Sequence, residues 1–500
     1  MIASAFLYQN MEIIILLMLV SLTIFSCSYL YRLSYRSQFS IPIIKSEQEK
    51  WFQLSNLKSK EIKIYSKIKN STNKYQKYIM IDKNNSSKSD HHNQMKKNKS
   101  ISLSTIDKYN NLPFVSIVVP ARNEEKSIER CIRSLLNQDY PEFEIIVIDD
   151  NSTDNTSKIL KNIKDNTTCQ NVSSTIEAAL TSSTDKLKII TLKSKPDGWT
   201  GKTWASQKGF LESKGEIILF TDADTYYSKR DTILQTVSYM QREKLDVLTG
   251  IPTSEKITNF WSKITIPIWD FIGILFGVGS AAEVNNPKSK FAYLMGSFFL
   301  IKQEVLRNVG TFESVHEEIQ EDKALGTIIK ERGYRLRLVK LKDMVYTLWA
   351  DDLVTLWRGI GRTVAPLVIK NKPRVVINLL IIFFSCILPF ILLPFTLSVA
   401  LEILFPLLFT DIHEIPFHFE IYLPILSLMT CLFVFVFSSI KRSDEGIPAA
   451  YTLGTPFGSG FVFIACLYNI VPLLIYGSTK PIQWQGRQYT YKKEQEGFAL

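Results

Sequence analysis

The run Glu216-Ile217-Ile218-Leu219-Phe220-Thr221-Asp222-Ala223-Asp224 constrains this chain most. A short apolar stretch, read as a buried strand, ends abruptly in two carboxylates one residue apart. Carboxylates at the carboxyl end of a strand sit where open α/β sheets bind ligands. They are also the hard oxygen ligands that Mg²⁺ or Mn²⁺ prefers when it bridges protein and phosphate. An Asp-x-Asp occurs about once by chance in a chain this long. Its meaning therefore depends on what flanks it.

Upstream, residues 114–120 read as a strand. Ala121-Arg122-Asn123-Glu124-Glu125 then opens a helix carrying Ile128, Cys131, Ile132, Leu135 and Leu136 at helical spacing. A second strand, 144–148, ends at Asp149-Asp150. Asn151-Ser152-Thr153-Asp154 starts the next helix, with good N-cap residues. A polar insertion at 165–185 precedes a strand at 187–192, and a helix at 202–213 leads to the strand at 216. Downstream come a helix at 232–243, a strand at 247–248, a strand at 293–301 and a helix opened by Glu321-Asp322 and closed at Gly333. Strands alternating with helices predict an α/β domain with a mostly parallel, Rossmann-like sheet over residues 113–372. The first strand–helix turn lacks Gly-x-Gly-x-x-Gly, which argues against a dinucleotide-binding dehydrogenase.

Four segments are long and apolar enough to meet a bilayer: 13–30, 375–409, 421–440 and 457–477. The first lacks preceding Lys or Arg and is followed by Arg32 and Arg36, so residues 1–31 read as a retained anchor with the following domain cytoplasmic. Residues 32–112 hold seventeen Lys/Arg against six Asp/Glu, which accounts for the whole net charge of +11. This basic, low-complexity linker lies where anionic headgroups attract cations. The excess sits beside a span rather than on a folded face, so no nucleic-acid partner is expected. The six cysteines are scattered without a Cys-x-x-Cys pair, and no disulfide framework is expected. Residues 373–479 read as membrane helices and 480–500 as a basic tail. The apolar, Gly-interrupted stretch 260–281 reads as interfacial or as part of an acceptor site.

These pieces resemble family-2 glycosyltransferases, which have the GT-A fold. The resemblance spans residues 114–366 and rests on four motifs in order. Val115-Ser116-Ile117-Val118-Val119-Pro120-Ala121-Arg122-Asn123-Glu124 is similar to the opening strand and nucleotide-contact loop, which implies donor contacts from Pro120, Ala121, Arg122 and Glu124. Ile146-Val147-Ile148-Asp149-Asp150-Asn151-Ser152 resembles the second strand, with Asp150 on the nucleoside. Asp222-Ala223-Asp224 resembles the metal triplet, with Asp224 the better candidate for direct contact and Asp222 also near the donor. Glu321-Asp322 resembles the acidic pair, with Asp322 the catalytic base and Glu321 in support.

A narrower likeness is carried by Gly198-Trp199-Thr200-Gly201-Lys202 and by Trp484-Gln485-Gly486-Arg487-Gln488-Tyr489. Both are similar to segments of carotenoid- and hopanoid-associated members. Lys202 opens a helix and is suited to a diphosphate. Processive polysaccharide synthases carry Gln-x-x-Arg-Trp after the acidic pair. Here the region reads Leu356-Trp357-Arg358-Gly359-Ile360-Gly361-Arg362, a different arrangement. Trp357, Arg358, Arg362, Trp484 and Arg487 are candidates for acceptor or diphosphate contact, with interfacial anchoring as the equal alternative. The tail's cations place it on the cytoplasmic side, which requires 457–477 to be re-entrant or interfacial.

The expectation is therefore a plasma-membrane, Mg²⁺- or Mn²⁺-dependent inverting transferase. It moves one sugar from a nucleotide sugar to an isoprenoid-like lipid. The rivals are a processive polysaccharide synthase and an inactive membrane scaffold.

Overall fold

In the computed structural model the described residues are 23–32, 42–44, 112–170, 186–255, 257–276, 281–289, 291–347, 350, 352–407, 422–444, 446–477, 482–484 and 486–489. Residues 1–22 of the expected anchor, and most of the basic linker and of the tail, therefore lie outside the described residues.

The chain alternates strand and helix as its hydrophobic periods dictate. β1 (Val115–Ala121) is followed by α1 (Ile128–Leu136), which buries Ile128, Cys131, Ile132 and Leu135 on one face. β2 (Phe143–Asp149), α2 (Thr156–Gln170), β3 (Leu187–Thr191), α3 (Gly201–Leu211) and β4 (Ile217–Phe220) follow. Then come β5 (Tyr226–Tyr227), α4 (Thr232–Arg242), β6 (Val247–Ile251), β7 (Thr253–Ser254) and α5 (Phe260–Ile272). The domain closes with β8 (Phe299–Lys302), α6 (Glu321–Glu331), β9 (Leu336–Lys340) and β10 (Val345–Thr347).

Seven strands form one sheet in the order β3-β2-β1-β4-β8-β6-β9. Only β8 runs antiparallel to its neighbours; the other pairings are parallel. This is the expected mostly parallel α/β domain. β1, β2 and β4 are buried along nearly their whole length, as strands covered by helices on both faces must be. Gly209 allows α3 to settle on the sheet, because a Cβ there would lie 2.2 Å from Val118 Cγ1.

Two local expectations differ from the structure. The strand placed at 293–301 begins only at Phe299, because Met295 and Phe298 close a turn through Phe298 N–H to Met295 O at 2.9 Å. Residues 42–44, within the expected linker, pair with β9: Lys340 N–H donates to Pro42 O at 2.8 Å and Ile44 N–H to Lys340 O at 3.1 Å. The outer edge of β9 offers unpaired amides, and this short apolar piece covers them.

A helical layer packs beside the sheet domain. α7 (Leu353–Lys370) continues into α8 (Lys372–Ile382), a π-helical turn (Phe383–Ile387) and α9 (Leu388–Leu407). α10 (Tyr422–Asp444) and α11 (Thr455–Tyr476) follow. Among the described residues, Lys372–Pro394 and Ala449–Tyr476 are long and apolar enough to cross a membrane, and Leu428–Ile440 is shorter. α5 joins this layer rather than standing apart: Ile266, Ile268, Trp269 and Ile272 are buried with Leu356, Ile360 and Val364 of α7 and Val462, Cys466 and Ile470 of α11. At its start Phe260 and Trp261 remain exposed. The fully buried Arg442 ties α10 to α5 and α11 through Ile264 O at 3.2 Å and Thr455 Oγ1 at 3.3 Å. β11 (Ile482–Trp484) and β12 (Arg487–Tyr489) form a terminal hairpin.

Candidate active site

The loops at the carboxyl ends of β1, β2 and β4 converge on one cavity of about 460 Å³. The first two are stitched together locally. Asn123 and Asn151 adopt left-handed φ values of 54° and 55°, which Asn tolerates better than most residues. Asn123 Oδ1 accepts from Thr153 N–H at 2.8 Å, and Asn123 N–H donates to Ser152 Oγ at 3.0 Å. Within this frame the adjacent aspartates separate. Asp149 is consumed by its own loop, accepting from Ser152 N–H at 3.0 Å and from Ser157 Oγ. Asp150, held by its N–H to Ala121 O at 2.8 Å, lines the cavity. Arg122 donates to the carbonyls of Asp150 and Asn151, the latter at 2.9 Å, so it also braces this loop.

Lys202 stands in the first turn of α3, whose N-cap Thr200 accepts from Thr203 N–H at 3.2 Å. Its ammonium joins the two acidic motifs. Nζ lies 2.7 Å from Asp222 Oδ1 and 3.1 Å from Glu321 Oε1. The Glu321 side chain is 6% exposed, so this contact compensates a buried carboxylate. Asp322 starts α6, where Lys323 N–H donates to its Oδ1 at 2.7 Å. Burial pushes the Asp322 carboxyl above its usual range, against the opposing charge of Lys202. Glu321 is pushed up to about 7 by burial, again opposed by Lys202.

Asp224 faces the same cavity and accepts from Thr347 Oγ1 at 3.5 Å. Burial first, then the charge of Asp222, pushes its carboxyl up to about 6. Asp224, buried beside Asp222 and only partly offset by Lys202, suits a divalent cation. Among the described residues no cluster of three or more His, Cys, Asp or Glu could hold a metal by itself. The chain thus fits Mg²⁺ or Mn²⁺ only in the mode where one or two carboxylates are completed by substrate phosphates and water.

Pro120, Ala121, Arg122, Glu124, Asp150, Lys202, Asp222, Asp224, Glu321, Asp322, Arg362 and Arg487 all line the cavity. Trp357 and Arg358 do not. The Trp357 ring packs edge-on against Phe461 and Tyr468 of α11 at 5.6 and 5.2 Å, within the helical layer. The Trp484 side chain lies outside the described residues.

Gly296, which belongs to none of the sequence motifs, also lines the cavity. A Cβ there would lie 2.8 Å from Lys202 Nζ, 3.4 Å from Asp222 Oδ2 and 3.5 Å from Asp322 Oδ2. Lys202 Nζ is the movable partner, so Gly296→Ala is expected to fold normally while shifting the ammonium. Transfer should fall about tenfold or more, since small misplacements in a site are costly. A far-ultraviolet spectrum and a transfer assay together check this; unchanged transfer would remove Gly296 from the site.

Residues 116–310 match the model of Glycosyl transferase family 2. This domain belongs to glycosyltransferase family 2. The glycosyltransferase domain is 35% identical over 168 residues to a beta-monoglucosyldiacylglycerol synthase of Nostoc sp., covering 32% of this chain and 31% of that protein. It is 27% identical over 229 residues to the probable glycosyltransferase YdaM of Bacillus subtilis, covering 45% and 49%. A poly-beta-1,6-N-acetyl-D-glucosamine synthase of Staphylococcus epidermidis is 25% identical over 245 residues, covering 49% and 52%. The chain therefore spans about a third to a half of these relatives' lengths. Among solved structures, a mannosyltransferase of Pyrobaculum calidifontis in complex with GDP-Man and Mn²⁺ superposes with a TM-score of 0.39 and 17% identity, covering 72% of this chain and 87% of that one.

The cavity also carries a pH signature. Glu124 is pushed up to about 7, by burial and then by the charge of Asp224, while Ser127 Oγ donates to its Oε2 at 2.7 Å. A carboxyl whose pKa is higher folded than unfolded favours the fold below the ordinary carboxylate range. That contribution is lost as pH rises through about 7. The unfolding midpoint of metal-free protein is expected to fall between about pH 5 and 8. A thermal melt series checks this, and a midpoint rising across the window would contradict it.

Proposed function

We propose that this family-2 glycosyltransferase moves a single sugar from a nucleotide donor to the hydroxyl of a lipid at a membrane surface, with inversion. The observation that carries this reading is the continuity of the cavity. Asp150, Lys202, Asp222, Asp224 and Asp322 line it together with Ile257, Ile266 and Trp269 on or beside α5 and Thr363 of α7. The same space thus meets carboxylates suited to a sugar nucleotide and the apolar helical layer. The helices long and apolar enough for a membrane support the same reading, as does a relative whose name includes a diacylglycerol product. The isoprenoid-like acceptor rests on the Gly198–Lys202 and Trp484–Tyr489 likenesses alone. The cytoplasmic face of the plasma membrane belongs to the proposal too.

In this mechanism Asp150 accepts hydrogen bonds from the nucleoside. Lys202 lies beside the diphosphate, and Asp224 with Asp222 holds Mg²⁺ or Mn²⁺. The metal, when bound, neutralises charge developing on the leaving diphosphate. Asp322 takes the proton from the acceptor hydroxyl as that oxygen attacks the anomeric carbon. The bond to the diphosphate oxygen breaks on the opposite side, so the anomeric configuration inverts. Glu321 keeps Lys202 in place.

Membranes containing the protein, incubated with a panel of labelled sugar nucleotides and Mn²⁺, are expected to yield label in a chloroform-soluble glycolipid carrying one sugar. Label in a long, water-soluble glycan would instead favour a polysaccharide synthase, the class named for the Staphylococcus epidermidis relative. Label in neither fraction, with no nucleotide binding, would favour an inactive scaffold.

A further inference from the structure

The end of the described chain returns to the donor side of the cavity. The terminal hairpin pairs Ile482 with Tyr489 and Trp484 with Arg487, turning at Gly486 with φ 73°. It approaches the loop after β1, since a Cβ on Gly486 would lie 3.5 Å from Asn123 Nδ2. From it Arg487 reaches both oxygens of Asp150, Nη2 to Oδ1 at 3.0 Å and Nη1 to Oδ2 more closely. The Asp150 side chain is 4% exposed.

The position of this guanidinium is unusual electrostatically. It lies against the first turn of α3, where a Cβ on Gly201 would strike Arg487 Nη1 and come within 2.6 Å of Asp150 Oδ2. A helix N-terminus repels a cation and attracts an anion. The Asp150 carboxylate offsets that repulsion. Lys202, the next residue of α3, adds another positive charge and is paired with Asp222 and Glu321. Two cationic side chains and a helix N-terminus therefore border the place where Asp150 is covered.

We propose that the terminal hairpin is a donor-operated clasp in which Arg487 exchanges the Asp150 carboxylate for the diphosphate of the sugar nucleotide. This rests on the sugar-nucleotide reading given above. A diphosphate presents paired oxygens that match the guanidinium fork as a carboxylate does, and with more charge. The exchange uncovers Asp150 for the nucleoside and leaves the hairpin closed over the donor. A second cleft lined by Lys195, Trp199, Glu317 and Gln488 borders Arg487 and gives the side chain space to move. The clasp links the donor site to the helical layer, because the hairpin is the next described element of the chain after α11.

The exchange predicts opposite signs for two ligand types. Full-length protein in nanodiscs, wild type and Arg487→Ala, is titrated with Mn²⁺ and uridine, guanosine, thymidine or cytidine, and with the matching diphosphates. The variant should bind the recognised diphosphate about tenfold more weakly, having lost a charge-assisted contact. It should bind the matching nucleoside about threefold more tightly, because Asp150 no longer has to be uncovered. Loss of affinity for both ligands, gain for both, or no change would overturn the exchange. A second reading does not depend on affinity. Spin labels on cysteines replacing the exposed Lys158 and Gln488 should give a distance distribution that broadens in Arg487→Ala without ligand. An unchanged distribution would show that Arg487 does not dock the hairpin. If no diphosphate binds either protein, the sugar-nucleotide reading fails and the exchange falls with it. If diphosphates bind but both ligand types shift in the same direction, only the exchange fails.

Discussion

Asp322→Asn is expected to lower single-turnover transfer by about 10²- to 10⁴-fold, the usual contribution of a positioned general base. Asparagine retains the shape of the side chain and can still accept from Lys323 N–H, as Asp322 Oδ1 does at 2.7 Å. It cannot take a proton from an acceptor hydroxyl. Nucleotide affinity should stay close to wild type, since the substituted group acts on the acceptor. Transfer of labelled sugar under saturating donor measures the first quantity and calorimetry the second. Retention of the full rate would move the base elsewhere. Glu321→Gln provides a contrast. It removes a charge 3.1 Å from Lys202 Nζ and should weaken donor binding and turnover together, through the displaced ammonium.

Asp224→Asn should cost about two to three orders of magnitude in turnover, corresponding to several kcal/mol of charge stabilisation at the leaving diphosphate. The loss should be accompanied by weaker Mn²⁺ binding in the presence of a nucleoside diphosphate. Because no group of three or more His, Cys, Asp or Glu among the described residues could hold the ion, Mn²⁺ alone should bind wild type poorly, and the diphosphate should tighten it. Paramagnetic resonance of free Mn²⁺ reads both. Strong Mn²⁺ binding by wild type without nucleotide, or normal turnover in the variant, would contradict this assignment. The variant is expected to fold, since Asn removes a charge that burial and Asp222 already disfavour.

Much of this organisation is legible in the sequence because local patterns impose it. Apolar runs that end in Asp149-Asp150 and in Asp222-x-Asp224 fix strands whose carboxyl ends face one cavity. The division of labour between Asp149 and Asp150 comes from the loop instead: Asp149, the last residue of β2, is absorbed by Ser152 and Ser157, and Asp150 just beyond it lines the cavity. Trp357 was readable as well. It lies on the helical stripe of Leu353, Leu356, Ile360 and Val364, which the structure packs together. Its place beside Arg358 leaves acceptor contact and interfacial anchoring equally open. Gly296 was illegible for a different reason. Its role is a space shared by Lys202, Asp222 and Asp322, three side chains brought together only by the fold. The docking of residues 42–44 on β9 was hidden by a basic tract whose composition outweighs two isoleucines.

The partnership of Arg487 and Asp150 spans 337 residues of chain. At about 5–20 residues per second of synthesis, Asp150 emerges roughly half a minute before its partner exists. The sheet can form early around β1, β2 and β4. Its donor pocket stays unclasped until α11 has been made and seated against α5 and α7. Completion of the pocket is thereby timed by assembly of the helical layer, so a nascent chain whose helical layer is unfinished lacks the Arg487–Asp150 contact.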